Sequence, residues 1–273
     1  GVPLGKTWQL GLRLARANGG KLITAIIRYP HATHDLTAAH DLIESANRAV
    51  SEKDRHFPII IEAENYEAGA QWLAKECKAD LLLADVDTHV QRGYQMNNYT
   101  CAIGLMRGTT TIVHEHEDLD GSDNVLRILV PTAGGPNTVH ALSFLLPLVD
   151  AADEKSVEIV TLYAAPAIEG SNEEALGRYR LRQTAQAVDA EGLIEEKVIT
   201  VNNIPQGMAQ EAAQNYDFVV VGSSREGSLD NILFGNVVNS IVRESKIPVL
   251  VVREPRRNFA TIGGRVAWRL QSW

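Results

Sequence analysis

The residues best suited to chemistry lie in Val219–Val252, VVVGSSREGSLDNILFGNVVNSIVRESKIPVLVV. An apolar run ends in Gly222-Ser223-Ser224, a loop continues through Arg225, and Gly235-Asn236-Val237 opens a helical pattern that leads into a last apolar run. Such a place suits a phosphate, because free backbone N–H groups and a helix N-terminus both present positive partial charge. It also falls at the carboxyl end of strands, where open α/β sheets hold their ligands. Ser223, Ser224 and Ser228 read as phosphate or backbone hydrogen-bond partners, or simply as turn residues. A hydrolase triad is the weaker reading of these serines, since no Gly-x-Ser-x-Gly elbow is present and no His stands near in sequence.

Other reactive side chains group less tightly. His31, His34 and His40 cluster loosely, and His114-Glu115-His116 ends an apolar run. Alternate strand residues face opposite ways, and neither group has Cys partners or a helical His pair, so both read as solvated surface and no metal is assigned. Cys77 and Cys101 sit in helix-like apolar patterns and read as small buried side chains in a reducing cytosol.

These loops need strands and helices to hold them. Val125–Pro131 is a continuous apolar run feeding Thr132-Ala133-Gly134-Gly135, with Pro136 at the first turn of a helix whose Val139, Leu142, Leu145, Leu146 and Val149 form its stripe. Strands follow at Val157–Tyr163, Ile194–Val201, Asp217–Gly222 and Pro248–Val252, separated by helices at Glu173–Ala190, Pro205–Gln214 and Gly235–Ser245. Solid Val/Ile/Leu runs alternating with helices predict a doubly wound α/β domain with a five-stranded parallel sheet.

The first half repeats the order. Helices are predicted at Lys6–Ala17, Asp35–Ser51, Tyr66–Lys78 and Asn97–Arg107, and strands at Lys21–Arg28, Pro58–Ala63, Asp80–Ala84 and Thr110–His114. Asp35 is the cap candidate of the second helix, with Leu36, Ala39, Ile43, Ala46 and Val50 as its stripe. The period is roughly 135–140 residues, the mark of a tandem repeat. Val2-Pro3 lines up with Val130-Pro131, so the first copy lacks the strand that Val125–Leu129 gives the second. The expectation is that the chain was cut from a longer polypeptide whose preceding residues complete the first copy. The domains are therefore read as 1–119, with a truncated first strand, and 124–254, with an acidic linker at Glu115–Asp123 and a tail at 255–273.

At Gly222, Gly235 and Pro248–Val252 the sequence resembles the universal stress protein (UspA-like) superfamily, in a tandem form. Its nucleotide-binding members carry Gly-x-x-Gly, nine residues, Gly-Ser or Gly-Thr, then a helix and a Pro-Val-Leu-Val-Val strand. The resemblance implies a Rossmann-like fold of the adenine nucleotide alpha hydrolase type and ATP or AMP, with Mg, as ligand. Its site would comprise Pro131, Thr132, Ala133, Gly222, Ser223, Ser224, Arg225, Gly235, Asn236 and Val237. Arg225 replaces the second Gly, Asn236 the Ser or Thr, and Ala133 the usual Asp after the first strand. An Arg there either closes the phosphate nest or grips a phosphate with its planar fork. In the first copy Asp85, Thr88, Met96 and Asn97 fall opposite Gly222, Arg225, Gly235 and Asn236, so no motif glycine survives and no ATP is expected there.

The resemblance further implies a non-catalytic regulatory module, a homodimer, and attachment to the membrane part of a transporter or channel on its cytoplasmic side. Two rivals stand beside it. One is a weak ATPase, which the lack of a Walker lysine or an identifiable base would keep slow. The other is a free-standing tandem protein acting through dimer contacts, with an edge strand such as Pro248–Val252 open to pairing.

The 273 residues, 45% apolar and 22% charged, fit two ordinary globular domains. A net charge of -8 argues against nucleic acid as a partner. The segment Arg253–Trp273, with Arg253, Arg256, Arg257, Arg265, Arg269, Trp268 and Trp273, either meets an acidic or lipid surface or folds back on the domain. No window approaches the length of a membrane span.

Overall fold

The computed structural model describes residues 5–28, 36–79, 81–85, 109–114, 125–150, 157–223, 241, 245 and 247–253. The chain divides into two compact units: residues 1–81, 89–108 and 255–273 in one, and residues 82–88 and 109–254 in the other.

The first unit holds helix α1 (Lys6–Ala17), strand β1 (Leu22–Arg28), helix α2 (Leu36–Ala49), strand β2 (His56–Glu62) and helix α3 (Tyr66–Glu76). Helix α1 stops where the sequence predicts: Gly19 takes the left-handed conformation at φ +58°, and Gly20 N–H returns to Ala15 O at 2.8 Å. Its Leu10, Leu12 and Leu14 are buried. Of the predicted α2 stripe, Ala46 is fully buried, whereas Ala39, Ile43 and Val50 are half-buried. Asn65 caps α3 by accepting from the Ala68 N–H at 2.9 Å. Strands β1 and β2 form a two-stranded parallel sheet with Leu22 beside His56 and Arg28 beside Glu62.

The second unit carries strands β3 (Leu81–Asp85, all but its first residue), β4 (Thr109–His114) and β5 (Leu126–Pro131), then helix α4 (Pro136–Asp150) and strand β6 (Val157–Pro166). Helix α5 (Glu173–Gln186), strand β7 (Glu195–Val201), helix α6 (Ile204–Ala212) and strands β8 (Phe218–Ser223) and β9 (Val249–Arg253) follow. The sheet order is β3-β4-β9-β8-β5-β6-β7. Its last five strands are the parallel sheet expected of the second copy. Ile128, Leu129 and Val130 on β5, Val219–Val221 on β8 and Leu142, Leu145 and Leu148 on α4 build its core. The apolar runs read as strands because both faces of this sheet are covered.

Two features go beyond the sequence reading. The described strands of the first copy do not share one sheet, for β1 and β2 stand as a pair while β3 and β4 extend the second copy's sheet. The last strand, read as an edge open to pairing, is not an edge. β9 lies between β8, which it joins in parallel, and β4, which it joins antiparallel with Thr111 opposite Val252 and Val113 opposite Leu250. Its hydrogen-bonding groups are engaged on both sides within the chain, so it is not free to recruit a second copy. Among the described residues no helix is long and apolar enough to cross a membrane.

Candidate functional site

The chain leaves β5 through α4 towards β6, and leaves β8 in the opposite direction along the sheet towards β9. β5 and β8 are neighbours, so their carboxyl ends flank the point where strand order reverses, the place at which open sheets admit ligands. The structure brings Pro131, Thr132 and Ala133 from the first strand and Gly222 and Ser223 from the other to this mouth. Ser224, Arg225, Gly235, Asn236 and Val237 lie outside the described residues, as do Thr88, Met96, Asn97, Cys101, His31, His34, His116 and the tail. Cys77 is half-buried at the end of α3 and unpaired by any disulfide.

Local chemistry fixes the strand-to-helix turn. The Thr132 N–H donates to Leu162 O at 2.8 Å, prolonging the β5–β6 ladder by one residue. The buried Thr132 Oγ1 accepts from the Gly134 N–H at 2.8 Å and shares a 2.7 Å hydrogen bond with Thr138 Oγ1. Gly134 and Gly135 have φ of +83° and +121°, which side chains resist, and Pro136 then begins α4. From the other side Gly222 fits beneath the Asn137 backbone in the first turn of α4. The turn thus aims the positive end of a 15-residue helix at the mouth.

Three residues to which the sequence reading gave no site role shape the rim. Arg180 on α5 donates from Nη1 to Ala133 O at 2.9 Å, and its guanidinium carbon stands 5.7 Å from the Tyr163 ring centre. The Tyr163 hydroxyl donates to Glu173 Oε2 at 3.2 Å. Burial, then the Glu173 hydrogen bond, pushes the Tyr163 phenol above its usual pKa, and Arg180 opposes the rise. A shallow cavity of about 350 Å³ adjoins this rim at the ends of β6 and β7, with Glu169, Glu173 and Glu174 in its lining. Those carboxylates make it a poor phosphate site. Gly177 on α5 lies against the Tyr163 ring, leaving no room for a Cβ, which is how closely this helix approaches β6.

The mouth offers peptide N–H groups, a helix N-terminus and one guanidinium at its rim. Pro131–Gly135 and Gly222 bring neither a general base nor a carboxylate. Among the described residues no cluster of His, Cys, Asp or Glu could hold a metal ion.

Comparison with known proteins agrees with this architecture. Residues 124–253 match the model of the universal stress protein family. A universal stress protein of Methanocaldococcus jannaschii is 24% identical over 152 residues, covering 50% of this chain and 88% of the relative. Among solved structures, a putative universal stress protein from Pseudomonas aeruginosa UCBPP-PA14 covers 100% of this chain and 95% of its own, with a TM-score of 0.59 at 13% identity. The cytoplasmic domain of a prokaryotic cation chloride cotransporter covers 92% and 93%, with a TM-score of 0.58 at 11% identity. With its sheet order, its strand-reversal mouth and its sequence in agreement, the second copy, residues 124–253, belongs to the universal stress protein family.

Proposed function

We propose that the chain is a non-catalytic regulatory module of tandem universal-stress type, copies 1–119 and 124–254, whose second copy holds an adenine nucleotide, ATP or AMP, at the mouth between β5 and β8. The observation that carries this reading is the convergence of the Thr132–Gly135 turn, the α4 N-terminus and Gly222 at the strand-reversal point. Phosphates would lie against that helix end, with Ser223, Ser224, Arg225, Gly235, Asn236 and Val237 supplying the remainder of the site. Thr132 holds the turn in shape, and Arg180 steadies it from the rim through Ala133 O. Mg²⁺ would enter with the nucleotide phosphates, since Pro131–Gly135 and Gly222 provide no carboxylate for it.

In this reading the module works on the cytoplasmic side of a membrane transporter or channel, joined to its membrane part and paired with a second copy. The fold likeness to the cotransporter's cytoplasmic domain, over more than nine-tenths of both chains, supports that context.

Calorimetric titration of the full chain with ATP and Mg²⁺, and separately with AMP, tests the ligand. Saturable heat is expected, with no phosphate released in a single-turnover assay. No heat at millimolar nucleotide would remove the ligand and leave a packing module, while rapid phosphate release would make it an ATPase.

A further inference from the structure

We propose that the first unit docks on an anionic lipid surface, through a face that sets the exposed rings of Phe57 and Trp72 among Lys21, Lys53, Arg55 and Lys78. The proposal goes beyond the nucleotide reading and does not depend on it.

The strand register builds the face. Lys21 stands just before β1 and Arg55 just before β2, and the strands run parallel with Leu22 beside His56. Both cations therefore emerge at the amino end of the sheet, where the Leu22 N–H donates to Arg55 O at 2.9 Å. Lys53 lies in the turn ahead of β2. Trp8 of α1 donates to Thr24 Oγ1 and packs edge-on against His56, so Thr24 and His56 face α1. By alternation Ile23, Ile27 and Phe57 take the opposite side.

Helix α3 covers that opposite side, for a Cβ built on its Gly69 would meet the Ile27 side chain at 2.8 Å. This contact lies near the carboxyl end of β1, and the buried stripe Gly69, Ala70 and Leu73 keeps the helix on the sheet as it runs towards the amino end. Its eleven residues span about 16 Å, against about 20 Å for the seven of β2, so Lys75 and Lys78 arrive near the level of Phe57.

The charge on this face is positive because its carboxylates are few or already held. Asp54 is tied to Arg16 by two hydrogen bonds, at 2.7 and 2.6 Å, and Glu76 lies 3.7 Å from Lys75. Glu52 remains against Lys21, Lys53, Arg55 and Lys78, all four exposed and none paired with a described carboxylate. Charges beyond a Debye length of about 8–10 Å are screened, so an approaching surface meets this local sign and not the net -8 of the chain.

The rings decide the class of partner. Phe57 is 51% and Trp72 44% exposed, the large apolar side chains left open among the described residues of this unit. Lys21 Nζ stands 5.8 Å from the Phe57 ring centre, over the ring face on which a nucleobase would stack. An ammonium at headgroup level above a ring that reaches deeper is the arrangement of an interfacial protein. The cations are spread along strand and helix ends, which suits a continuous charged layer rather than one small anion.

Cosedimentation of the full chain with phosphatidylcholine vesicles, with and without phosphatidylserine as about a third of the lipid, tests this. Binding is expected only with phosphatidylserine, weakening as salt rises from about 0.1 to about 0.5 M. Lys53→Gln with Arg55→Gln should weaken it about 25-fold, roughly fivefold for each cation. Phe57→Ser with Trp72→Ser should weaken it while leaving the salt dependence unchanged. Two control pairs make the same charge change elsewhere, Arg178→Gln with Arg182→Gln on α5 and Arg256→Gln with Arg257→Gln in the tail, and both should bind like the parent. Urea midpoints matching the parent's confirm that the variants are folded, and salt-bridge-free Lys21→Gln with Lys78→Gln replaces any pair that is not. Equal binding to both vesicles, a loss in either control pair as large as in Lys53→Gln with Arg55→Gln, or tighter binding to single-stranded RNA than to the vesicles would overturn the proposal.

Discussion

Gly222, at the end of β8, lies so close beneath Asn137 in the first turn of α4 that a Cβ built on it would overlap the Asn137 carbonyl group. The obstacle is backbone, which cannot swing aside as a side-chain tip can. This glycine is therefore required by the approach of helix to strand, and that approach points the α4 N-terminus at the mouth.

Gly222→Ala should destabilise the second unit by about 2 kcal/mol, the usual cost of overpacking against a fixed wall. Gly20→Ala is the control, because its nearest neighbour outside the adjoining residues, Ala15 O, stands at an ordinary 3.6 Å. Urea denaturation midpoints of the two variants decide it. If Gly222→Ala unfolds with the parent, helix packing is not the reason for the glycine.

The sequence exposed most of the elements, and the reasons are local. α1 is bounded by its own Gly19, and β5, β6 and β8 announce themselves as apolar runs because both faces are covered. The Thr132-Ala133-Gly134-Gly135 turn was legible from two glycines and a proline at a helix start. What stayed hidden is long-range. The antiparallel pairing of β4 with β9 leaves no mark in TTTIVH or VLVVR, since strand direction is not written in an apolar pattern. Arg180 lies 47 positions from the carbonyl it holds, on a helix face that reads as merely solvated.

On β7 and α6, Lys197 Nζ meets Glu211 Oε1 at 2.6 Å, and the Tyr216 hydroxyl donates to the same oxygen at 3.1 Å. The Glu211 side chain is only 6% exposed, while that of Lys197 is 35% exposed. Burial, then the Glu211 charge, pushes the Tyr216 phenol well above its usual pKa. Lys197→Met should cost about 2 kcal/mol, because it strands a buried carboxylate on one remaining donor, with the half-open lysine reducing the loss. The double variant Lys197→Met, Glu211→Leu should recover most of it. A thermal-denaturation cycle over the four proteins would show the coupling, and additive losses would refute it.

In the first unit, Asp54 takes a bidentate pair of hydrogen bonds from Arg16 Nε and Nη2, at 2.7 and 2.6 Å, and two more from Ser51 N and Oγ at 2.7 and 2.9 Å. Arg16 first, and then the Ser51 N–H, hold its carboxyl well below the usual aspartate range. A pKa lower in the folded state means that the carboxylate stabilises the fold above the unfolded value, about pH 4, and that this contribution is lost as pH falls towards the folded value. Asp54→Asn should therefore weaken the unit at pH 7, and the gap from the parent should narrow steadily below about pH 4. The local readout is exchange of the Leu22 amide, whose acceptor Arg55 O adjoins Asp54 in the chain. A gap that stays constant from pH 7 to pH 3 would mean that the carboxylate charge contributes nothing to holding α1 against this turn.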